Sequence, residues 1–232
     1  QIDRQHIIHL VPLEGVHGYQ LEANDLRQLA DRMWRMSVKE RARIPGLDET
    51  RADIIQSGAL AFDALLAHSG FARLTVSQQG LREGLFYERF LAGQPLPVFD
   101  DLREFSVLNL ARNFEADNAH SRHVVALSLR LFDQLQAAHG LDARYRQLLW
   151  AAGLLHDIGI IIDYYYHHFH SSYMVLNSGL PGYRARELAL IALLTQYHRK
   201  GNPKPGHLAP LLSEQDVKAL TAQAGMLRQA EF

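Results

Sequence analysis

Cysteine is absent from this chain of 232 residues. Disulfides and thiolate metal sites are therefore excluded, so any bound metal must be held by histidine, aspartate, glutamate or backbone oxygen. The absence is in keeping with a reducing compartment, and we expect a cytoplasmic protein. Long apolar runs are also lacking, since no stretch approaches the roughly 20 residues of a membrane span and no signal-peptide pattern opens the chain. We therefore expect no membrane partner.

An excess of charge of one sign is lacking as well. The chain has 24 lysines and arginines against 25 aspartates and glutamates, which gives a formal net charge of −1. This balance gives no reason to expect DNA binding, although it is compatible with a local basic groove for a phosphate-rich ligand. Apolar residues make up 47% and charged residues 21%, a composition typical of globular rather than disordered proteins.

The first 92 residues have a mixed helix and strand pattern, which predicts an α/β segment. Residues 93–101, GQPLPVFDD, contain two prolines and predict a linker to a second domain at 102–232. The elements predicted before the linker are, in order, one helix within 19–46 capped by Asn24 or Asp25, a helix over 48–70, a strand at 73–77, a glycine-rich turn at 78–84 and a helix over 85–93.

Beyond the linker the apolar spacing is helical throughout, which predicts an all-helical bundle and makes the chain mainly α. One predicted helix, at 145–162, is apolar on nearly every face and should be central and buried. Ser213 is expected to cap the last helix, with Gln215 or Asp216 in its first turn. The other predicted helices cover 119–140 and 184–200.

Histidine is unusually frequent, with 13 copies, and His156 and Asp157 stand side by side in the apolar run GLLHDIGIII. A buried carboxylate is unfavourable unless it is neutralised or coordinated, so this pair implies a partner. An imidazole with a carboxylate suits Mn, Fe, Zn or Mg.

The best partner is His120, because it lies on the apolar stripe of the preceding helix, whereas His123 lies towards the edge of that stripe. The alternative is a metal-free network in which His120 is protonated or donates to Asp157.

More histidines follow in YYYHHFHSSY and TQYHRK. His168, His170 and His198 could line the rim of a pocket. Arg199 and Lys200 directly follow His198 and are suited to phosphate oxygens. Alternatively, this pair only complements the dipole at a helix C-terminus.

The series His120, His156-Asp157, His168 or His170, and His198 resembles an HD-domain phosphohydrolase. The motifs that carry the likeness are HSRHV and LLHDIG. That family is an all-helical bundle with a His…His-Asp…Asp metal site, and its members mostly cleave phosphate esters or anhydrides. The fourth ligand would fall within LRQAEF, where this chain has Glu231 in place of the aspartate.

Longer blocks resemble the exopolyphosphatase/guanosine-pentaphosphate phosphohydrolase (Ppx/GppA) family. The likeness runs over most of residues 16–232 and is carried by two blocks in the family's order. These blocks are SVKERARIPGLDETRADIIQSGALAFDALLAHSGFARLTVSQQGLREGLFYE and HDIGIIIDYYYHHFHSSYMVLNSGLPGYRARELALIALLTQYHRKG, and VHGY at 16–19 also matches.

The resemblance implies a hydrolase of inorganic polyphosphate or guanosine pentaphosphate, with a cleft between two lobes of an actin-like ATPase fold. Residues 1–92 correspond to the end of the second lobe, and the chain begins with Gln1 rather than Met, so we expect a fragment or processed form that lacks the polyphosphatase site. Arg82, in the GLREG element, would face the cleft and contact substrate; alternatively, this element is a plain strand-to-helix turn with a solvent-exposed arginine. An incomplete lobe would expose apolar surface, so a homo-oligomer is expected.

The metal ligands implied by the resemblance are His120, His156, Asp157 and Glu231, with Mg or Mn expected before Zn or Fe. Arg82, His168, His170, His198, Arg199 and Lys200 are candidates for binding the polyanion. Two other functions stay open: a non-catalytic binding, regulatory and dimerisation module, and an independent metal-dependent nucleotide phosphohydrolase. No catalytic residue is assigned from the sequence.

Overall fold

The computed structural model describes residues 18–77, 79–96 and 98–231. The chain divides between Phe90 and Leu91 into two compact units. No helix in the described part of the chain is both long enough and apolar enough to cross a membrane.

The first unit combines helices with one short antiparallel strand pair. Strand β1 (Gln20–Glu22) pairs with β2 (Arg73–Thr75), so that Leu21 lies opposite Leu74. Helix α1 (Ala23–Trp34) packs on α3 (Ile55–Ser69), and both bury apolar side chains in a small core. The remaining helices are α2 (Val38–Arg41) and α4 (Leu81–Phe90), and a 3₁₀ turn covers Glu49–Arg51.

The prediction of a single helix within 19–46 is wrong, because α1 begins at Ala23, ahead of the predicted Asn24 or Asp25 cap, and ends at Trp34. Gln20–Glu22 is extended because it pairs with β2, a partner that local periodicity does not reveal. Ser37 then starts a new helix through a capping box with Glu40. The predicted turn at 78–84 also differs, because Leu81 already begins α4 and Gly80 donates its N–H to the Glu83 carboxylate at 2.8 Å.

The second unit is a helical bundle with no β-strand among its described residues, and the prediction of a mainly α chain is confirmed. Its helices are α5 (Leu102–Asn113), α6 (Ala119–Gln134), α7 (Gln136–His139), α8 (Ala143–Leu155), α9 (His167–Asn177), α10 (Ala185–Tyr197) and α11 (Glu214–Glu231). A 3₁₀ turn covers Ile158–Ile161 and another covers Gly206–Leu211. Ser213 caps α11, as predicted: its hydroxyl accepts from the Asp216 N–H, and its own N–H donates to the Asp216 carboxylate.

Helix α8 is the centre of this bundle, as its apolar sequence predicted. It contacts α5, α6, α10 and α11, and eight of its thirteen residues are buried. The predicted extent to residue 162 is wrong, however, because α8 ends at Leu155. Ile161 and Ile162, predicted to be buried, are 67% and 56% exposed.

The end of α8 is set by close packing against α9. A Cβ on Gly159 would lie 2.3 Å from the His167 carbonyl oxygen and 2.5 Å from the Ser171 nitrogen, so only glycine fits here. The Gly159 N–H donates to the Ser171 hydroxyl at 2.9 Å. This contact bends the chain after His156 and places Asp157 in the bend.

Candidate metal centre

The ends of five helices meet at one end of the bundle and bring six chemically active side chains together. His120 lies in the first turn of α6, where the Asn118 side chain caps the helix through the Ser121 N–H. His156 and Asp157 follow α8 directly, and His198 follows α10. His167 is the first residue of α9, and Glu231 is the last of α11.

Four of these side chains form a compact group whose ligand atoms lie within 4.8 Å of one another: His120, His156, Asp157 and Glu231. The Nε2 of His156 is 3.3 Å from that of His120, 3.1 Å from Glu231 Oε2 and 3.4 Å from Asp157 Oδ2. His120 Nε2 is 3.4 Å from Glu231 Oε2 and 3.7 Å from Asp157 Oδ2. Ligands placed 2.0–2.2 Å from a tetrahedral metal are about 3.4 Å apart, so these spacings fit one cation.

The other oxygen of Asp157 faces a second group. Its Oδ1 is 3.1 Å from His167 Nε2 and 3.7 Å from His198 Nε2, and the two Nε2 atoms are 3.1 Å apart. The His198 side chain is fully buried and the His167 side chain is 6% exposed. Asp157 therefore belongs to both groups.

Three histidines make the same kind of hydrogen bond to the backbone. The Nδ1 of His156, His167 and His198 each lies 2.6–2.7 Å from the carbonyl oxygen of the residue three positions earlier. A carbonyl oxygen can only accept, so each Nδ1 carries the hydrogen and the lone pair of the neutral ring is at Nε2. A hydrogen bond from the distal ring nitrogen to a carbonyl is the usual second-layer support of a metal-binding histidine.

Burial and charge shift the pKa values at the centre in opposite directions. Burial lowers the pKa of His156, but contacts with the Asp157 and Glu231 carboxylates outweigh it and raise that pKa to about 9. Burial raises the pKa of Asp157, yet the contacts with His156 and the other imidazoles bring it down to about 2. Burial, followed by the charge of His156, lowers the pKa of His198 to about 4. Without a cation, a proton on His156 offsets the carboxylate charge, whereas His198 is neutral.

Two buried carboxylate oxygens at the centre face imidazole nitrogens. Asp157 Oδ1 and Glu231 Oε2 are buried without a hydrogen-bond partner in the described structure, although imidazole nitrogens lie 3.1 Å from each. Within the described ranges, no lysine or arginine forms an ion pair with either carboxylate. Buried carboxylate oxygens need a protonated imidazole or a cation beside them, and this donor set fits a divalent cation of the Mg, Mn, Fe or Zn type.

The structure brings together the four residues predicted to hold a metal, and the residues predicted to bind a polyanion differ in their burial. His198 lies inside the centre rather than at its rim. His168 is buried with its Nδ1 unpartnered among the described residues, and His170 is half-buried. Arg199 and Lys200 are exposed beside His198. Arg82 is exposed on α4, in the first unit.

Sequence reasoning missed His167, which contacts Asp157 where His168 or His170 was expected. Along α9 the buried positions include His167, Ser171 and Val175, which lie four residues apart on one face. Because His167 and Ser171 are polar, they do not mark an apolar face. Counting back from Val175 would have identified His167 as the inward histidine.

Comparison with protein families gives two matches that cover most of the chain. The profile of the Ppx/GppA phosphatase family matches residues 4–92. The profile described as Ppx/GppA phosphatase, domain III, matches residues 102–230, which contain all the residues of the centre except Glu231.

Proposed function

Because the chain belongs to the Ppx/GppA phosphatase family, we propose that it is part of a phosphoanhydride hydrolase acting on inorganic polyphosphate or guanosine pentaphosphate. Members of this family are phosphatases, and they generally depend on a divalent metal. The observation that carries the proposal is the pair of family matches, which together span both compact units.

The second unit would contribute an HD-type metal site. His120, His156, Asp157 and Glu231 would hold one divalent cation, and the spacing of their ligand atoms supports this assignment. A cation bound there supplies positive charge for phosphate oxygens. The residues of the chain hold and orient the ligands: the Gly153 carbonyl keeps the His156 lone pair at Nε2, and α11 carries the Glu231 carboxylate to the same point.

Phosphate chains would be guided to the site by Arg199 and Lys200. Both are exposed and directly follow His198, which lies within the centre. Their charges also contribute, after burial and His167, to lowering the pKa of His168, which indicates that they act on the space around that ring. His168 and His170 would then border the path of the phosphate chain, whereas Arg82 would act in the first unit.

The second candidate function is an independent metal-dependent nucleotide phosphohydrolase. The observation that favours it is the three-residue group of Asp157, His167 and His198, since three protein ligands with open positions are typical of catalytic rather than structural metal sites. A binding module without chemistry would need only the four-residue group.

The proposal is tested on the purified chain by calorimetric titration with Mn²⁺, with and without polyphosphate or guanosine pentaphosphate. Asp157→Asn should lower the Mn²⁺ affinity by at least roughly a hundredfold, because it removes the only charge shared by both groups. Asp163→Asn is the matched control, since Asp163 lies in the same bend and accepts from the Tyr165 N–H.

Three outcomes are distinguished. Binding of Mn²⁺ and of cation-dependent polyphosphate, without phosphate release, supports the proposed role within a larger hydrolase. Phosphate release from guanosine pentaphosphate or a simple nucleotide, lost in Asp157→Asn, supports the independent hydrolase. If Mn²⁺ does not bind the wild-type chain, the assignment of a metal site is wrong.

A further inference from the structure

We propose that Tyr164 and Tyr165 bind the base of a nucleoside polyphosphate whose phosphates lie at the metal centre. This inference rests on the proposed function, because it places the phosphates at the site assigned there. It adds a position for the nucleoside, and it makes the two tyrosines the residues that distinguish a nucleotide from an inorganic phosphate chain.

The exposure of the tyrosines is the first support. Tyr164, Tyr165 and Tyr166 are consecutive, and their exposed fractions are 62%, 77% and 61%. They lie in the turn that leads into α9, a kind of segment in which glycine, proline and small polar residues usually predominate. Three exposed rings in such a turn form an aromatic surface on which a flat base can stack.

The arrangement of the rings is the second support. The ring centroids of Tyr164 and Tyr165 are 5.8 Å apart, and the ring planes meet at 81°, so the two rings form a corner. The turn is held by the Asp163 carboxylate, which accepts from the Tyr165 N–H at 3.1 Å. A base that stacks on the face of one ring would meet the other ring edge to face, and both arrangements are favourable between aromatic groups.

The position of Tyr164 beside the metal centre is the third support. Its ring centroid lies 5.9 Å from that of His167, and its carbonyl oxygen accepts the His167 Nδ1 hydrogen at 2.6 Å. His167 Nε2 is in turn 3.1 Å from Asp157 Oδ1. Since only a ribose separates the base of a nucleotide from its first phosphate, a base on Tyr164 would direct the phosphates towards Asp157 and its cation.

The distribution of charge also matches a nucleotide. Leaving histidines aside, Asp163 is the only charged residue in the sequence between 158 and 183. The cations Arg199 and Lys200 are exposed and directly follow His198, within the centre. The tyrosines therefore suit a neutral ring, whereas the cations suit phosphate oxygens. An inorganic polyphosphate chain is charged along its whole length and has no group that would stack on the tyrosines.

The experiment compares a non-hydrolysable analogue of GTP with inorganic tripolyphosphate, which has the same number of phosphorus atoms. Each ligand is titrated into the Mn²⁺-loaded chain in a calorimeter. The analogue should bind more tightly than tripolyphosphate to the wild type. Tyr164→Ala should lower the affinity for the analogue about tenfold, because the stacked base is lost, and leave the affinity for tripolyphosphate unchanged.

Two further variants control for the ring and for its position. Tyr164→Phe keeps the ring and should bind the analogue as the wild type does. Tyr173→Ala removes a ring that is 65% exposed and lies further along α9, so it should also behave as the wild type. The His167 contact uses the backbone carbonyl of Tyr164, so Tyr164→Ala should keep the wild-type affinity for Mn²⁺.

The outcomes separate this inference from the proposed function. Equal affinities of wild type and Tyr164→Ala for the analogue overturn the base position and leave the metal site standing. An equal loss of affinity for both ligands also overturns it, since the tyrosine would then act on the phosphate site. If the Mn²⁺-loaded wild type binds neither ligand, the phosphate site and this inference are both wrong. Tyr165→Ala provides a second variant with the same expected loss if Tyr164→Ala is unstable.

Discussion

Glu231 occupies the position where the resemblance to HD proteins calls for an aspartate. Its longer side chain still reaches the centre, because it extends from the last residue of α11 and brings Oε2 to 3.1 Å from His156 Nε2. A carboxylate at a helix C-terminus is unfavourable, since that end of the helix dipole is negative. Asp157 is placed similarly, just beyond α8. A bound cation would offset both unfavourable placements.

Replacing Glu231 by glutamine tests its role as a ligand. Glu231→Gln keeps the shape of the side chain and removes its charge, so Mn²⁺ affinity should fall roughly tenfold to a hundredfold, while the metal-free protein melts at nearly the wild-type temperature. Isothermal titration measures the affinity. Glu214→Gln, at the start of the same helix, is the control and should bind Mn²⁺ as wild type does. Equal affinities of Glu231→Gln and wild type would exclude Glu231 as a ligand.

The bend between α8 and α9 depends on a single residue without a side chain. Gly159 lies so close to α9 that a methyl group would overlap the His167 carbonyl, the Ser171 nitrogen and the His170 Cβ. To accommodate it, α9 would have to move away from the bend. His167 is the first residue of α9, so the displacement would act directly on the contact with Asp157.

Gly159→Ala should therefore lower the free energy of unfolding by about 1–3 kcal/mol and weaken Mn²⁺ binding. Urea denaturation and calorimetry measure the two effects. Gly225→Ala is the matched control, because a Cβ there meets nothing within 4 Å inside α11, and the change should stabilise the helix by up to about 1 kcal/mol. If both variants have the same free energy of unfolding, the close approach at Gly159 does not affect stability.

The helices and their caps could be predicted from sequence because the interactions that form them are local. The burial of α8 and the Ser213 cap depend on residues within a few positions of one another. By contrast, the strand at Gln20–Glu22 depends on a partner beyond α3, and the end of α8 depends on the fit of Gly159 against α9. His167 was missed for the same reason, since its inward face is defined by tertiary contacts.

At the scale of the bundle, a second polar cluster joins the starts of three helices. Asp216, in the first turn of α11, accepts from the Tyr145 hydroxyl of α8 at 2.7 Å and pairs with Arg186 of α10 through both nitrogens that face it. The Asp216 side chain is fully buried. Burial raises the pKa of Asp216, but the hydrogen bonds from Arg186 and Ser213 outweigh it and lower that pKa to about 2.

This pKa predicts how stability depends on pH. Because the pKa of Asp216 is lower in the folded than in the unfolded state, its contribution of about 2 kcal/mol is present above pH 4 and is lost as the pH falls towards 2. Asp216→Asn should be less stable than wild type at pH 7, and the difference in free energy of unfolding should shrink in acid. Urea denaturation at pH 7, 5 and 3 measures it. If wild type and Asp216→Asn differ by the same free energy of unfolding at all three pH values, ionised Asp216 does not stabilise the fold in this way.

The Asp216 cluster has a geometric consequence for the opposite end of the bundle. Tyr145, Arg186 and Asp216 stand near the starts of α8, α10 and α11, while His156, His198 and Glu231 stand at the ends of the same helices. The cluster therefore fixes the starts of the three helices relative to one another. The positions of the ligands at their ends then depend on the number of residues in each helix. One residue inserted into any of them would advance its ligand by about 1.5 Å and turn it by about 100°. Substitutions within these helices therefore preserve the spacing of the ligands, whereas an insertion or a deletion within any of the three helices changes it.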